Sequence, residues 1–174
     1  WLGLEWETPV RRQSNHMEDY ARALGRLDAL LYPCFCTRKE ITAEIARAAH
    51  APHGPDGPVY PGTCRDMDIG ERQRPMAAGH AFAMRLDLGA AMAAVPGLTW
   101  RDRERGVMEA DPRPFGDVVL ARTDTPTRYH LALTVDDHPQ CLRLLTPGPD
   151  LSRPRPSHLL FPGLLSRDTA VHPH

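Results

Sequence analysis

Lysine is nearly missing from this chain: among 21 basic residues, Lys39 is the only one. The rest are arginines, whose planar forks make bidentate contacts to carboxylate and phosphate. A surplus of positive charge is missing too. The formal net charge over 174 residues is -1, so any contact with RNA has to come from local patches rather than from the molecule as a whole. No apolar run reaches the roughly 18 residues needed to cross a bilayer, so no membrane partner is expected. The opening residues, Trp1 to Glu7, hold neither the basic nor the apolar stretch of a signal peptide. An initiator methionine is lacking as well; the expectation is a chain cut at its N-terminus and a cytoplasmic location. Neither a Gly-x-x-x-x-Gly-Lys-Ser/Thr phosphate loop nor a Gly-x-Gly-x-x-Gly turn occurs.

What is present is enough for one domain with a core, hydrophobic residues making up 41% of the chain. Residues 15–31 read as an amphipathic helix that Asn15 can cap, with Tyr20, Ala23, Leu24, Leu27, Leu30 and Leu31 on one face. A second helix is expected over about 38–49, opened by the capping box Thr37-Arg38-Lys39-Glu40. Four prolines and three glycines make residues 51–62 a loop. Residues 80–87 alternate as a strand, with Phe82, Met84 and Leu86 on one side and Arg85 and Asp87 toward water. Two more strands are expected, Asp117 to Ala121 and Tyr129 to Val135, joined by Thr123-Asp124-Thr125-Pro126. Seven of the 18 prolines fall in residues 139–174, too many for regular helix and strand there.

The most specific chemistry is Cys34-Phe35-Cys36 followed by Tyr60-Pro61-Gly62-Thr63-Cys64. Zinc takes about four ligands in a tetrahedron, with thiolates usual at closed structural sites. Cys34 and Cys36 can bite one ion from a tight turn, and the Gly/Pro-rich loop can bend Cys64 back to it. Three sulfurs leave one position, for which Tyr60, His50 and His53 are candidates. The competing reading is that these thiols simply pack as small core residues.

The runs Leu31 to Arg38 and Val59 to Arg65 resemble the zinc-binding insert of the glutamyl-queuosine tRNA(Asp) synthetases, small relatives of glutamyl-tRNA synthetase without an anticodon domain. The resemblance implies zinc held by Cys34, Cys36, Tyr60 and Cys64 in a structural role. It also implies an α/β fold, a Rossmann-like class I aminoacyl-tRNA synthetase catalytic domain (partial, 1–174) with a zinc-bearing inserted subdomain at about 33–114. Gly116 to Arg122 and Arg128 to Asp137 are similar to the family's paired strands under the amino-acid pocket, which makes Tyr129 the expected contact for substrate glutamate. Asp136 and Asp137 are assigned no catalytic task and are expected to hold the next loop. In the family, that region continues to an Arg-Gly-x-Asp-Leu segment, and here Pro147 stands where the arginine contacts glutamate. Losing such charged hydrogen bonds costs about 1.5 to 3 kcal/mol.

The His-x-Gly-His and Lys-Met-Ser-Lys-Ser motifs that bind ATP in class I synthetases do not occur. The expectation is therefore a central fragment, inactive alone, with no catalytic residue of its own. The implied parent enzyme is a monomer that activates glutamate with ATP and transfers it to queuosine at the wobble position of tRNA(Asp). A non-catalytic zinc module or decayed paralogue, and an ordinary glutamyl-tRNA synthetase, are the alternatives.

Overall fold

Pro33 decides where the first helical stretch must stop. A proline disfavours helical backbone at the residue before it, so Tyr32 is extended and the chain is already a strand, β1 (Leu31–Cys34), by Leu31. The expected 15–31 helix accordingly divides: a 3-10 turn at Gln13–Asn15, α1 (Met17–Arg26), and a second 3-10 turn at Asp28–Leu30. His16 rather than Asn15 stands at the cap, with no side-chain cap bond. The computed structural model describes residues 2–6, 8–47, 53–54, 57–102, 106–137 and 156–165.

The second helix forms as the capping box dictates. Thr37 Oγ1 accepts the Glu40 amide at 3.2 Å while Glu40 Oε2 accepts the Thr37 amide at 2.7 Å. This opens α2 (Arg38–Arg47). Within the proline-rich stretch the described residues include two paired two-residue strands, β2 (His53–Gly54) and β3 (Gly57–Pro58). Then come α3 (Ile69–Ala77), β4 (Ala83–Leu86), α4 (Leu88–Ala94) and the hairpin β5 (Thr99–Asp102) and β6 (Gly106–Glu109). The order ends with β7 (Val119–Arg122), α5 (Tyr129–Asp137) and α6 (Pro156–Leu165).

One three-stranded sheet, in the order β1-β4-β7, organises the molecule. β4 is central and antiparallel to both neighbours, with Tyr32 opposite Arg85, Cys34 opposite Ala83, and a register shift toward β7 between Met84 and Arg85. All strand pairs among the described residues are antiparallel, so the parallel sheet of a Rossmann-like fold is not seen there. Successive strand residues face opposite ways. Leu31, Leu86 and Leu120 turn to one side, into a core shared with Tyr20 and Leu27 of α1, Leu88 and Ala91 of α4, Leu131 of α5 and Leu160, Phe161 and Leu164 of α6. Tyr32 and Cys34 turn to the other, into a second and smaller cluster with Tyr60 and Cys64.

Two expectations are corrected here. Tyr129 to Val135 is a helix, not a strand. Leu131, Leu133 and Val135 do alternate, but Leu131, Ala132, Thr134 and Asp136 are the buried positions, and Leu131, Ala132 and Val135 meet the core at helical spacing. The proline-rich end also holds a helix, α6. Pro156 sits at its first position, where its missing N–H costs nothing, and the fully buried Leu160 and Phe161 repay the interior Pro162 with roughly 1.5 to 3 kcal/mol each.

Asp87 starts α4 directly after β4, its carboxylate accepting the Ala90 amide at 3.0 Å. Asp87→Ala should lower the free energy of unfolding by about 1 kcal/mol, the usual cost of a lost N-cap. A urea titration checks this; an unchanged midpoint would mean that Leu88 and Ala91 hold α4 without its cap.

Candidate metal centre

Cys34 is the last residue of β1, and Cys36 lies two further on, just before the Thr37 cap of α2. The strand end and the helix start thus fix both thiols from either side. The second arm returns through Tyr60 to Cys64. Gly62 makes that return possible at φ 89, a conformation that side-chain-bearing residues rarely adopt, and the Arg65 amide closes the turn on the Gly62 carbonyl at 2.7 Å. Thr63 ties the loop outward to α2 by donating to Glu44 at 2.6 Å. Below it, a Cβ on Gly116 would come within 2.2 Å of Val59 Cγ1, so only glycine lets this loop settle against the sheet.

The result is a compact set of donors. The sulfurs of Cys34, Cys36 and Cys64 all lie within 4.8 Å of one another, with Cys36 and Cys64 3.4 Å apart. The Tyr60 hydroxyl oxygen is 3.3 Å from the Cys34 sulfur and 3.7 Å from that of Cys36, and it accepts the Cys64 amide at 2.9 Å. A tetrahedral zinc with bonds of about 2.3 Å places its sulfurs about 3.8 Å apart. The 3.4 Å spacing of Cys36 and Cys64 and the 4.8 Å limit on the whole set leave room for that value, so the donor set fits such an ion. Among the described residues, no other group of three or more histidine, cysteine or acidic side chains comes this close.

Burial and the hydrogen bond with Cys64 push the Cys36 thiol up to about 12, and burial likewise raises the Tyr60 phenol. Burial also acts upward on Cys64, but hydrogen bonds from Tyr60 and the Phe35 backbone outweigh it and lower the thiol.

The structure thus brings together all four proposed ligands, Cys34, Cys36, Tyr60 and Cys64. Tyr129 is elsewhere, 61% exposed at the first turn of α5 with its ring edge-on to His130. It stands on a helix rather than on one of the paired strands that the resemblance implied. Pro147, Arg143, Cys141 and His50 lie outside the described residues, as does the side chain of His53. Asp136 comes just before residues 138–155, the expected next loop, which lie outside the described residues. It is buried, accepting from Arg11 Nε at 2.8 Å, Gln13 Nε2 at 2.8 Å and the Tyr20 hydroxyl at 2.8 Å, and so fastens the N-terminal segment to α5.

A layer behind the donors was missed. Arg85, expected to face water, lies with its guanidinium carbon 3.8 Å from the centre of the Tyr60 ring and donates to the Asp117 carbonyl at 2.8 Å. Asp117 is buried, and its carboxylate takes the Tyr32 hydroxyl at 2.6 Å, the Leu88 amide at 3.0 Å and the Arg65 guanidinium at 3.4 Å. The available signal was the alternation of β1 and β4, since Arg85 shares the face of Tyr32 and Cys34 by register.

Residues 1–158 match the family of class I tRNA synthetases (E and Q), catalytic domain. The chain belongs to that family, a class of aminoacyl-tRNA synthetase ligases. Within it, the chain is 39% identical to the glutamyl-Q tRNA(Asp) synthetase of Rhodobacter capsulatus, over 100% of this chain and 64% of that protein. It is 40% identical to the glutamyl-Q tRNA(Asp) synthetase of Deinococcus radiodurans, over 79% of this chain and 42% of that one. The chain thus spans less than two thirds of these relatives. Among solved structures it is similar to a glutamate tRNA ligase of Elizabethkingia meningosepticum at a TM-score of 0.68 and 18% identity, covering 95% of this chain and 33% of that one. That likeness shows the class I catalytic-domain fold.

Proposed function

We propose that this chain is the central part of a glutamyl-queuosine tRNA(Asp) synthetase. The parent enzyme would activate glutamate with ATP and transfer it to queuosine in tRNA(Asp), working as a cytoplasmic monomer. The observation that carries this reading is the assembled set Cys34, Cys36, Tyr60 and Cys64, in a family member whose relatives bear that name. No helix among the described residues is long and apolar enough to cross a membrane.

In this reading residues 33–114 form an insert stapled by zinc. The ion supplies a cross-link between the end of β1 and the Tyr60–Cys64 turn. Four protein donors fill a tetrahedron, so no position stays open for catalysis. From this chain, Tyr129, exposed as a residue, would orient glutamate through a hydroxyl that can donate and accept without adding charge. Catalysis in this class works mainly through positioning and through the electrostatics of the phosphates, by groups that in this reading lie outside this chain.

The test is transfer of labelled glutamate by the whole reading frame containing this chain, offered tRNA(Asp) with queuosine or with guanosine at the wobble position. Label should appear only with queuosine and should be lost with that nucleoside. Label at the 3′ end of tRNA(Glu), offered in parallel, would point to an ordinary glutamyl-tRNA synthetase. Absence of any ATP-dependent transfer would point to a non-catalytic zinc module.

A further inference from the structure

Arg85 is a half-buried cation whose charge is not met by a carboxylate among the described residues. One nitrogen donates to the Asp117 carbonyl, and its Nε is buried with no hydrogen-bond partner among the described residues. The nearby carboxylate of Asp117 does not serve it, being taken up by Tyr32, Leu88 and Arg65. Burying a guanidinium without an opposite charge is costly. Across its face lies the Tyr60 ring, 3.8 Å away, with three thiols beyond the hydroxyl.

That placement has a purpose once a dication is bound. Metal ligation requires cysteine as thiolate, and three thiolates around one dication leave a net negative charge before the tyrosine oxygen is counted. We infer that Arg85 is the counter-charge and positioning residue of the metal centre, acting through the face of Tyr60 to hold its oxygen on the ion. A guanidinium stacks on a tyrosine face as well as carrying charge, which a lysine ammonium does less well. Asp117 anchors the arrangement: it fixes Arg85 through its carbonyl, and through its carboxylate fixes Tyr32, two residues before Cys34, and Arg65, next to Cys64. This inference rests on the zinc reading given above.

Zinc affinity measured by competition with a chromophoric chelator separates the two. Arg85→Gln should weaken zinc binding by about 10- to 100-fold, the usual cost of losing a partner behind a metal ligand. Because Arg85 acts through Tyr60, the same substitution in a Tyr60→Phe background should cost less than about threefold, the signature of coupled neighbours. Equal losses in both backgrounds, or no loss in either, would overturn the role of Arg85 while leaving the zinc site standing. No zinc bound by the wild-type chain would overturn the site itself. If Arg85→Gln does not fold, Arg85→Lys goes through the same cycle: a loss confined to the background that keeps Tyr60 supports the inference, and one indifferent to Tyr60 overturns it.

Discussion

Purified without chelators, the wild-type chain should carry one zinc, and Cys64→Ser should carry almost none. Cys64 is the sole sulfur supplied by the returning arm of the loop, and its amide also holds the Tyr60 oxygen in place. Structural zinc binds to small domains with an apparent 10 to 16 kcal/mol or so, and that energy is shared among its ligands. Losing a thiolate should therefore weaken binding by at least about 100-fold, or about 2.8 kcal/mol. Stability should follow occupancy: at a free zinc of about 100 times Kd the wild type gains about 2.7 kcal/mol, and the variant gains little. Elemental analysis with thermal unfolding in zinc or chelator measures both. A wild-type chain free of zinc, or a variant that still holds it, would return the three cysteines to the role of core residues.

The second large effect is expected far from the metal. Asp136→Ala should destabilise the chain by about 3 kcal/mol, the lower end of the range for removing one partner of a buried ion pair. The lower end applies because Arg11 keeps Asp19 as a partner at 2.8 Å and is 20% exposed. Tyr20, fully buried, loses its acceptor as well. The same site sets a pH dependence. Burial acts to raise the Asp136 carboxyl, but the bonds from Arg11, Gln13 and Tyr20 outweigh it and hold it below the ordinary range. An acid whose pKa is lower folded than unfolded, where it is about 3.9, stabilises fully above that value. The contribution is lost as pH falls through the folded pKa. Burial and the charge of Asp136 raise neighbouring Asp137, which works in the opposite sense. The informative quantity is therefore the stability gap between wild type and Asp136→Asn, followed by urea titration from neutral pH into acid. It should close below about pH 4; a gap independent of pH would mean that the charge of Asp136 does not hold the N-terminal segment.

Local chemistry was legible where local chemistry decides. The capping box at Thr37 and Glu40, the strand within 80–87 and the cysteine and tyrosine spacing all needed only neighbours in sequence. What was not legible depended on partners brought from a distance. The α5 segment offers apolar residues at both spacings, and only the packing of α1, α6 and the sheet around it selects the helical set. In α6, burial of Leu160 and Phe161 overrides a proline-rich composition. Arg85 looked like a solvent-facing residue because a strand in isolation has a wet side; the metal loop covers that side, and nothing local announces it. The family, by contrast, was readable from motifs, since Cys34 to Cys64 carry it almost alone.

Because β1 turns Leu31 toward the core and Cys34 toward the metal loop, its pairing with β4 is checked twice. A slip of one residue would exchange the two faces, putting a thiol among leucines and leaving Cys36 and Cys64 without their third sulfur. Apolar burial alone would resist such a slip only modestly on a strand of four residues. A bound ion, needing all its donors at once, would add an all-or-none penalty against the wrong alignment. In a refolding chain the metal would act as a proofreader of strand register, rewarding only those molecules in which the sheet has already paired correctly.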